Sequence, residues 1–365
     1  MILKELRVRN FRNVEECKIS LSHGVNLFKG ENAQGKTNAI EAIYLFARGR
    51  SFRTSDDKEL IKFGEEGFFC EIEYEDKSGI NKLEYSLYGK TRQRKKNGYK
   101  LKNAKELLSN FRAVLFYPDD LMLVKGGPDL RRDFLNIGIS QCYPSYIDYY
   151  SGMKKALENR NALIKAANKG FYYDENELRA WSEVLADYSS YIYGFRRDYI
   201  KKLEVYSKKC VYDISEGKEN IEFFYKSNID TDNSLKREEI RDIYIEKFTA
   251  NTDKEIHAGV SLYGPQRDDL EIYINGKEAR SFASQGQQRS IVLSLKLAEG
   301  EVSREISGEY PVYLFDDVLS ELDERRKKYV LSGYENKQII ISSCEDNEGI
   351  IIPDREIKVV GGKYI

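Results

Sequence analysis

The chain has 365 residues, and its 59 Lys and Arg nearly balance 60 Asp and Glu, for a formal net charge of −1. At about 150 residues per domain the length suits roughly two domains, and the charge balance gives no global pull toward an anionic polymer, so any nucleic-acid contact has to use a local patch. Cys17, Cys70, Cys142, Cys210 and Cys344 are scattered without ligand spacing and read as reduced thiols; with only His23 and His257 besides, a zinc site or a histidine-based nucleophilic triad lacks its ligands.

In chain order, residues 2–9 alternate apolar and polar as a strand does, and a second alternation covers residues 14–21. A third strand, residues 24–28, runs directly into Gly30. Residues 38–48 then space Ile40, Ile43 and Leu45 as on a helix. Residues 68–102 read as antiparallel strands with apolar side chains at every second position. Within them the basic run from Lys90 to Lys102 surrounds Asn97-Gly98, a type I′ turn signal, so the basic residues decorate a hairpin.

From Pro144 the period changes. Tyr146, Tyr150, Met153 and Leu157 share one helical face, Gly170 stops that helix, and a second stripe runs from Leu178 through Trp181, Leu185, Ile192 and Tyr199 to Tyr206. Such an antiparallel helical hairpin, with helices of roughly 25 to 35 residues at about 1.5 Å per residue, reaches only about 40–50 Å. It is a lobe and not a long coiled-coil arm. Residues 216–260 are polar and mixed, with a helix expected over 234–248. A strand returns at 270–274 before the tight turn Asn275-Gly276, a helix spans 287–306, and residues 312–315 form a fully apolar buried strand. No apolar run approaches the roughly 18 residues that a membrane helix requires, and residues 1–25 alternate instead of forming a signal core, so a cytoplasmic, membrane-free protein is expected. Most of the 27 tyrosines and 17 phenylalanines occupy periodic apolar positions, which assigns them to cores before base stacking.

The chemistry concentrates in two places. Gly30-Glu31-Asn32-Ala33-Gln34-Gly35-Lys36-Thr37, followed by Asn38, lies between a strand and a helix. A phosphate cradle needs glycines where side chains would block the anion, converging N–H groups, and a helix N-terminus. Lys36 is placed to reach the β- and γ-phosphates of ATP, and the Thr37 hydroxyl to ligate Mg²⁺. The second place is Val312-Tyr313-Leu314-Phe315-Asp316-Asp317, a buried strand ending in acids. Asp316 is the candidate Mg²⁺ ligand, and Asp317 the group that orients or activates the attacking water. Because Lys36 and Asp316 lie near opposite ends of the chain yet must meet on one nucleotide, the nucleotide domain is assembled from both ends around an insertion. Arg50 and Arg53 follow the first helix and read either as supplementary phosphate or DNA contacts or as solvated arginines. The basic run, with Arg92, Arg94, Lys95 and Lys96, is the best local footprint for sequence-independent DNA backbone contact, although charge runs are commonly plain solvated faces.

Ser284-Gln285-Gly286-Gln287-Gln288-Arg289, ahead of a helix, resembles the signature motif of ABC-type ATPases, and Ser320-Glu321-Leu322-Asp323 resembles their D-loop. Leu3, Val8 and Asn10-Phe11-Arg12-Asn13 resemble the opening of the chromosome-structural (SMC) branch. Together with the phosphate loop and Asp-Asp-Val-Leu-Ser-Glu-Leu-Asp, and with residues 116–121 and 125–132, the chain resembles end to end the RecF family of DNA replication and repair proteins. One departure is Gln266 in Gly264-Pro265-Gln266-Arg267-Asp268-Asp269, where the family leads one to expect a histidine.

That resemblance implies an α/β fold: an ABC-type ATPase head, a mixed sheet with an antiparallel β-subdomain, formed by residues 1–115 and 260–365, with a mainly helical lobe inserted at 116–259. It implies a homodimer in which Ser284, Gln285, Gly286 and Gln287 of one copy close on the ATP held by the other, although Ser284 reads equally as a helix N-cap. It further implies a weak, DNA-stimulated ATPase, slow because Asp317 stands where the wider class carries glutamate. The partners implied are DNA at gaps or single-to-double-strand junctions and the recombinase mediators RecO and RecR. Another SMC-like head, such as a defence-nuclease subunit, is disfavoured by the short helices and the lack of an added nuclease domain. A small-molecule P-loop kinase has no use for Ser284-Gln285-Gly286-Gln287.

Overall fold

The structure is a computed structural model that describes residues 1–229, 234–331, 336–344 and 352–365. The chain forms two compact units, Met1–Leu121 with Tyr206–Asn220 and Ala283–Ile365, and Met122–Val205 with Ile221–Phe282.

The first unit holds two six-stranded sheets. One is antiparallel, built from β1 (Ile2–Phe11), β2 (Val14–Ser20), β4 (Gly67–Asp76), β5 (Gly79–Tyr88), β6 (Thr91–Lys96) and β7 (Tyr99–Lys100) in the order β2-β1-β4-β5-β6-β7. Its strands alternate buried and exposed residues, as one-sided sheets do. The other sheet combines β3 (Val25–Lys29), β8 (Ala113–Phe116), β12 (Val312–Asp316), β13 (Ile339–Ser343), β14 (Arg355–Val360) and β15 (Lys363–Tyr364) in the order β15-β14-β3-β13-β12-β8. Here β14, β3, β13, β12 and β8 run parallel. Every residue of β8, β12 and β13 is buried, which only near-continuous apolar sequence permits. Helix α1 (Lys36–Arg48) lies against β12 and β13 of one sheet and β1 of the other, so one core of Phe11, Phe28, Ile40, Ile43, Phe46, Phe68, Leu314 and Ile340 joins both. α2 (Ala104–Leu108), α10 (Gln285–Ser307) and α11 (Glu324–Leu331) complete this unit. At the β6–β7 turn Asn97 and Gly98 both adopt positive φ, 51° and 84°, as a type I′ turn requires.

The second unit contains α3 (Met122–Lys125), α4 (Pro128–Cys142), α5 (Pro144–Asn168), α7 (Arg237–Ala250), α8 (Thr252–Ala258) and α9 (Ala279–Phe282), with the three-stranded sheet β11-β10-β9 made of β9 (Ile221–Lys226), β10 (Asp269–Ile274) and β11 (Lys277–Glu278). The expected helical hairpin is α5, which ends at Asn168 just before Gly170 at φ 75°, and α6 (Glu175–Ser215). At 41 residues α6 outruns the expected length, because Cys210, Val211 and Ile214 carry the buried stripe past Tyr206. Its residues from Tyr206 on belong to the first unit.

The boundaries therefore differ from those at 115/116 and 259/260. The strand expected to return the chain to the head is β10, which pairs with β9 from Asp269↔Lys226 to Ile274↔Ile221 and so stays in the second unit, as do residues 260–282. Residues 116–121 and 206–220 lie in the first. Of the mixed segment 216–232, residues 221–226 are β9, and 230–232 lie outside the described residues.

The second unit's core is polar at its centre. The Arg160 guanidinium, fully buried, donates to Glu255 Oε2 at 2.6 Å, Ser182 Oγ at 2.8 Å and Ser261 Oγ at 2.7 Å, with its face on the Phe248 ring. Four elements are thereby fastened to one cation. A buried pair of this kind adds little over apolar packing, yet removing one member strands the other. Arg160→Met is accordingly expected to cost about 3–5 kcal/mol in urea unfolding, and adding Glu255→Leu to restore part of that. A single variant as stable as the parent would contradict the assignment.

Candidate nucleotide site

β3 delivers the chain to Gly30, whose N–H donates to Ser343 O of β13 at 3.3 Å; a Cβ there would stand 2.3 Å from Val359 O of β14. No other residue fits between these strands. The loop turns through Ala33 and Gly35, at φ 64° and 114°, and Gly35 is the N-cap of α1. No side chain caps this helix and no acid occupies its first turn. Its leading N–H groups and positive dipole end therefore remain for an anion.

Lys36 is 3% exposed, and its ammonium donates to Gly30 O at 2.7 Å and Glu31 O at 2.9 Å. Two of its three N–H bonds thus fix it in the loop, and the residue lines a cavity of about 560 Å³. Around that cavity stand Arg12, Asn13, Ala33, Gly35, Thr37, Asn38, Arg53 and Asp317. Glu31 and Asn32 are exposed, and Gln34 faces the chain's end: its carbonyl accepts from Gly362 N at 2.9 Å and its side-chain Oε1 from Gly361 N at 2.6 Å. Tyr364 donates to Gly35 O at 2.8 Å. The β14–β15 hairpin is a clamp on the phosphate loop.

The Thr37 hydroxyl donates to Asp316 Oδ1 at 2.9 Å, and Ser342 Oγ donates to the same oxygen at 2.7 Å. Burial raises the Asp316 pKa, and these two hydrogen bonds pull it partly back. Asp317 follows at φ 54°, a left-handed backbone uncommon outside glycine, held by its N–H donating to Ser342 Oγ at 3.0 Å. Its carboxyl lines the cavity; burial raises its pKa and the Lys36 ammonium lowers it. Among the described residues no three His, Cys, Asp or Glu gather into a metal cluster. A hydroxyl beside a single carboxylate suits Mg²⁺ completed by phosphate oxygens and water, and not an all-protein cage. The donor set fits that ion.

Sequence reasoning passed over the residue that organises the cavity's basic wall. Glu41, wholly buried in α1, accepts from Arg12 Nε at 3.0 Å and Nη2 at 2.8 Å, from Arg53 Nη1 at 3.4 Å, and from Ser51 Oγ. Arg53 also donates to Asn38 Oδ1, and Asn38 Nδ2 to Asn13 Oδ1. One buried carboxylate thus holds two guanidinium groups in the cavity wall, with Glu59 also among the lining residues. The available signal was Glu41's place, one turn beyond Thr37 and between Ile40 and Ala42 on the buried side. The clamp was also legible, in the alternation of residues 355–360 before Gly361-Gly362.

Ser284 caps α10 through a capping box, its Oγ accepting from Gln287 N at 3.3 Å while Gln287 Oε1 accepts from Ser284 N at 2.9 Å. Arg326 of α11 donates to Gly286 O and Ser290 Oγ. Ser284 and Gln285 are exposed, and none of 284–287 lines the phosphate cavity. On β6, Arg92 pairs with Asp57, Arg94 lies over the Tyr85 ring, Lys95 pairs with Glu84 at 3.0 Å and Lys96 donates to Asn110 Oδ1 at 2.6 Å. The basic run is thus partly neutralised from within, while Lys90, Lys100 and Lys102 are exposed. Gln266 lies in the second unit, in the turn Pro265–Arg267, donating to Tyr263 O at 2.6 Å. Its neighbours Asp268 and Asp269 hold Tyr225 and Arg131 there, which makes this motif part of that unit's core. Among the described residues no helix is long and apolar enough to cross a membrane.

The family model of the RecF/RecN/SMC N terminal domain matches residues 2–358. The DNA replication and repair protein RecF of Clostridioides difficile (strain 630) is 36% identical over 359 residues, covering 98% of this chain and 96% of its own length. That of Clostridium kluyveri is 38% identical over 366 residues, covering 99% and 98%. A solved structure of the recombination mediator protein RecF with ATP, of the RecFOR pathway, superimposes with a TM-score of 0.93 at 36% identity, covering 100% of this chain and 97% of that one. The Smc head domain of Pyrococcus furiosus, at 16% identity and a TM-score of 0.57, shares the ABC-type head fold.

Glu41→Gln removes the charge that both arginines face, at a cost of about 2 kcal/mol in chemical unfolding. A change under about 0.5 kcal/mol, the ordinary range for surface substitutions, would show that the wall holds without it.

Proposed function

Since the chain belongs to the RecF family of DNA replication and repair proteins, we propose that it is an ATP-dependent recombination mediator that dimerises on DNA and is released by slow hydrolysis. ATP takes residues Gly30–Thr37 and Asn38, with Lys36 on the β- and γ-phosphates and the first N–H groups of α1 around them. Thr37 and Asp316 would hold Mg²⁺, which would supply charge neutralisation to the phosphates. Asp317 acts as the base that orients the attacking water, and its shorter side chain keeps hydrolysis slow.

The observation that carries the dimer is the separation within one chain of the two halves of the site. The phosphate cavity is complete on its own side, whereas Ser284, Gln285, Gly286 and Gln287 stand at the exposed start of α10, away from that cavity, with one copy of each per chain. A helix N-terminus whose capping serine faces solvent suits a phosphate that arrives on another molecule. Two copies facing each other enclose two ATP molecules.

On the DNA side, Arg92, Arg94, Lys95 and Lys96 line one strand, β6. Alternation along the strand puts Arg92, Arg94 and Lys96 on one sheet face and Lys95 on the other, and with the exposed Lys90, Lys100 and Lys102 they are the proposed phosphate contacts of this hairpin. Gapped DNA or single-to-double-strand junctions are the proposed targets, RecO and RecR the proposed partners, and the cytoplasm the site of action.

Light scattering with and without ATP is expected to show a doubled mass for the parent and a monomer for Ser284→Arg under both conditions. An ATP-independent mass for the parent would sink the composite site. For the patch, changing Arg92, Arg94, Lys95 and Lys96 together to Glu is expected to weaken duplex binding and to flatten the slope of log affinity against log salt by about 0.9 for each DNA phosphate no longer neutralised. An unchanged slope in a variant with parental circular dichroism would remove DNA binding from β6.

A further inference from the structure

The cavity at the phosphate loop carries more than phosphate chemistry. Its lining includes Ile61 and Phe63, and Phe63 is its only aromatic residue among those described. Phe63 is also fully exposed, at 102%, the most exposed large apolar side chain of the chain's described residues. Single exposed apolar residues are ordinary on protein surfaces. This one stands at the mouth of a charged cavity and is held there by its backbone.

The hold is specific. Arg12 N donates to Leu60 O at 2.7 Å, and Lys62 N to Asn10 O at 2.9 Å, so the strand end of β1 grips the chain on the near side of Phe63. Beyond it, Gly64 turns at φ 88°, Glu65 N returns to Lys62 O at 3.0 Å, and the Glu65 carboxylate accepts from Asn10 Nδ2 at 2.8 Å. Residues 62–65 are therefore a closed turn pinned at both flanks, presenting one ring. Among the described residues that ring meets no other aromatic ring. Arg12 and Arg53, fixed by Glu41, stand in the same cavity between polar and apolar partners.

A nucleotide needs an anionic cradle for its phosphates and a flat apolar face for its base. The first is supplied by residues 30–37; we propose that Phe63, flanked by Ile61, supplies the second, as a stacking platform for the purine base of the nucleotide whose phosphates Lys36 holds. This rests on the nucleotide reading above and adds to it the residue that distinguishes a nucleotide from a bare polyphosphate. Stacking on an aromatic face is tolerant of base identity, so Phe63 selects for the presence of a base and leaves discrimination among purines to other groups.

Dissociation constants for ATP and for inorganic tripolyphosphate, both with Mg²⁺, test the platform on the full chain by calorimetry. Phe63→Ala is expected to weaken ATP roughly ten- to a hundredfold, the cost of removing one base–aromatic stack, and to leave tripolyphosphate within about twofold. Phe63→Trp is expected to bind ATP as the parent does and to show an indole fluorescence change with ATP but not with tripolyphosphate; the parent's Trp181 serves as the background. Equal weakening of both ligands by Phe63→Ala, or of neither, overturns the platform while leaving the phosphate loop intact. Unchanged affinities with loss of only the ATP-dependent doubling in mass would also overturn it, by assigning the ring to contact with a second copy. A parent that binds neither ligand overturns the nucleotide reading itself.

Discussion

Everything at the site depends on one strand order. β13 lies between β3 and β12, so the loop leaving β3 and the acids ending β12 emerge at the same edge of a parallel sheet, flanking Ser342. The Thr37–Asp316 hydrogen bond, joining residues 279 positions apart, is the consequence. Ser342 gives it precision: its Oγ donates to the Asp316 carboxylate and accepts from the Asp317 backbone, fixing both acids through one hydroxyl. Ligand sites in parallel α/β sheets gather at the carboxyl ends of strands for this topological reason. Here the chain also passes through the second unit between β8 and β12, before the site is complete.

Much of that was legible in residues. The phosphate loop, the acid-terminated strand and the helix from Gln285 each carry a local signal: glycine spacing, an unbroken apolar run, a capping serine. What was not legible is what only pairing decides. β10 has the alternation of any half-buried strand, and nothing in Asp269–Ile274 says that its partner is β9. The continuation of α6 to Ser215 depends on burial of Cys210, Val211 and Ile214, which a polar composition around them conceals. Glu41 is the sharpest case, because a carboxylate on the buried side of a helix looks like an error in the pattern until two arginines from distant segments arrive to meet it.

That carboxylate sets the electrostatics of the cavity. Two guanidinium groups meet one fully buried acid there, and Lys36, Glu59 and Asp317 also line the cavity. The three cations are balanced by three carboxylates, so what the cavity offers an anion is the placement of its donors and not a net charge. Arg12 is fixed through Nε, Nη1 and Nη2 by Glu41 and the carbonyl of Glu59, and the partly exposed Arg53 is held through Nη1 by Asn38 and Glu41. The arrangement is preorganised for polyphosphate, and the reorganisation cost that flexible surface arginines would incur has already been met in folding.

The same logic distinguishes the two ends of the proposed composite site. The phosphate-loop side is held on every flank: Gly30 by β14, Gln34 and Gly35 by the terminal hairpin, Lys36 by two carbonyls. The Ser284 side is held from behind only. Arg326 anchors Gly286 O and Ser290 Oγ beneath the helix, while Ser284 and Gln285 face outward. A surface that is rigid behind and polar in front associates weakly without a charged ligand to share, because desolvating its hydroxyl and amides for an uncharged partner is unfavourable. With polyphosphate seated opposite, the same N–H and O–H groups gain charge-assisted acceptors. In the proposed composite site, association of two copies would thereby be tied to the nucleotide by the chemistry of the exposed half, and loss of the terminal phosphate would weaken it.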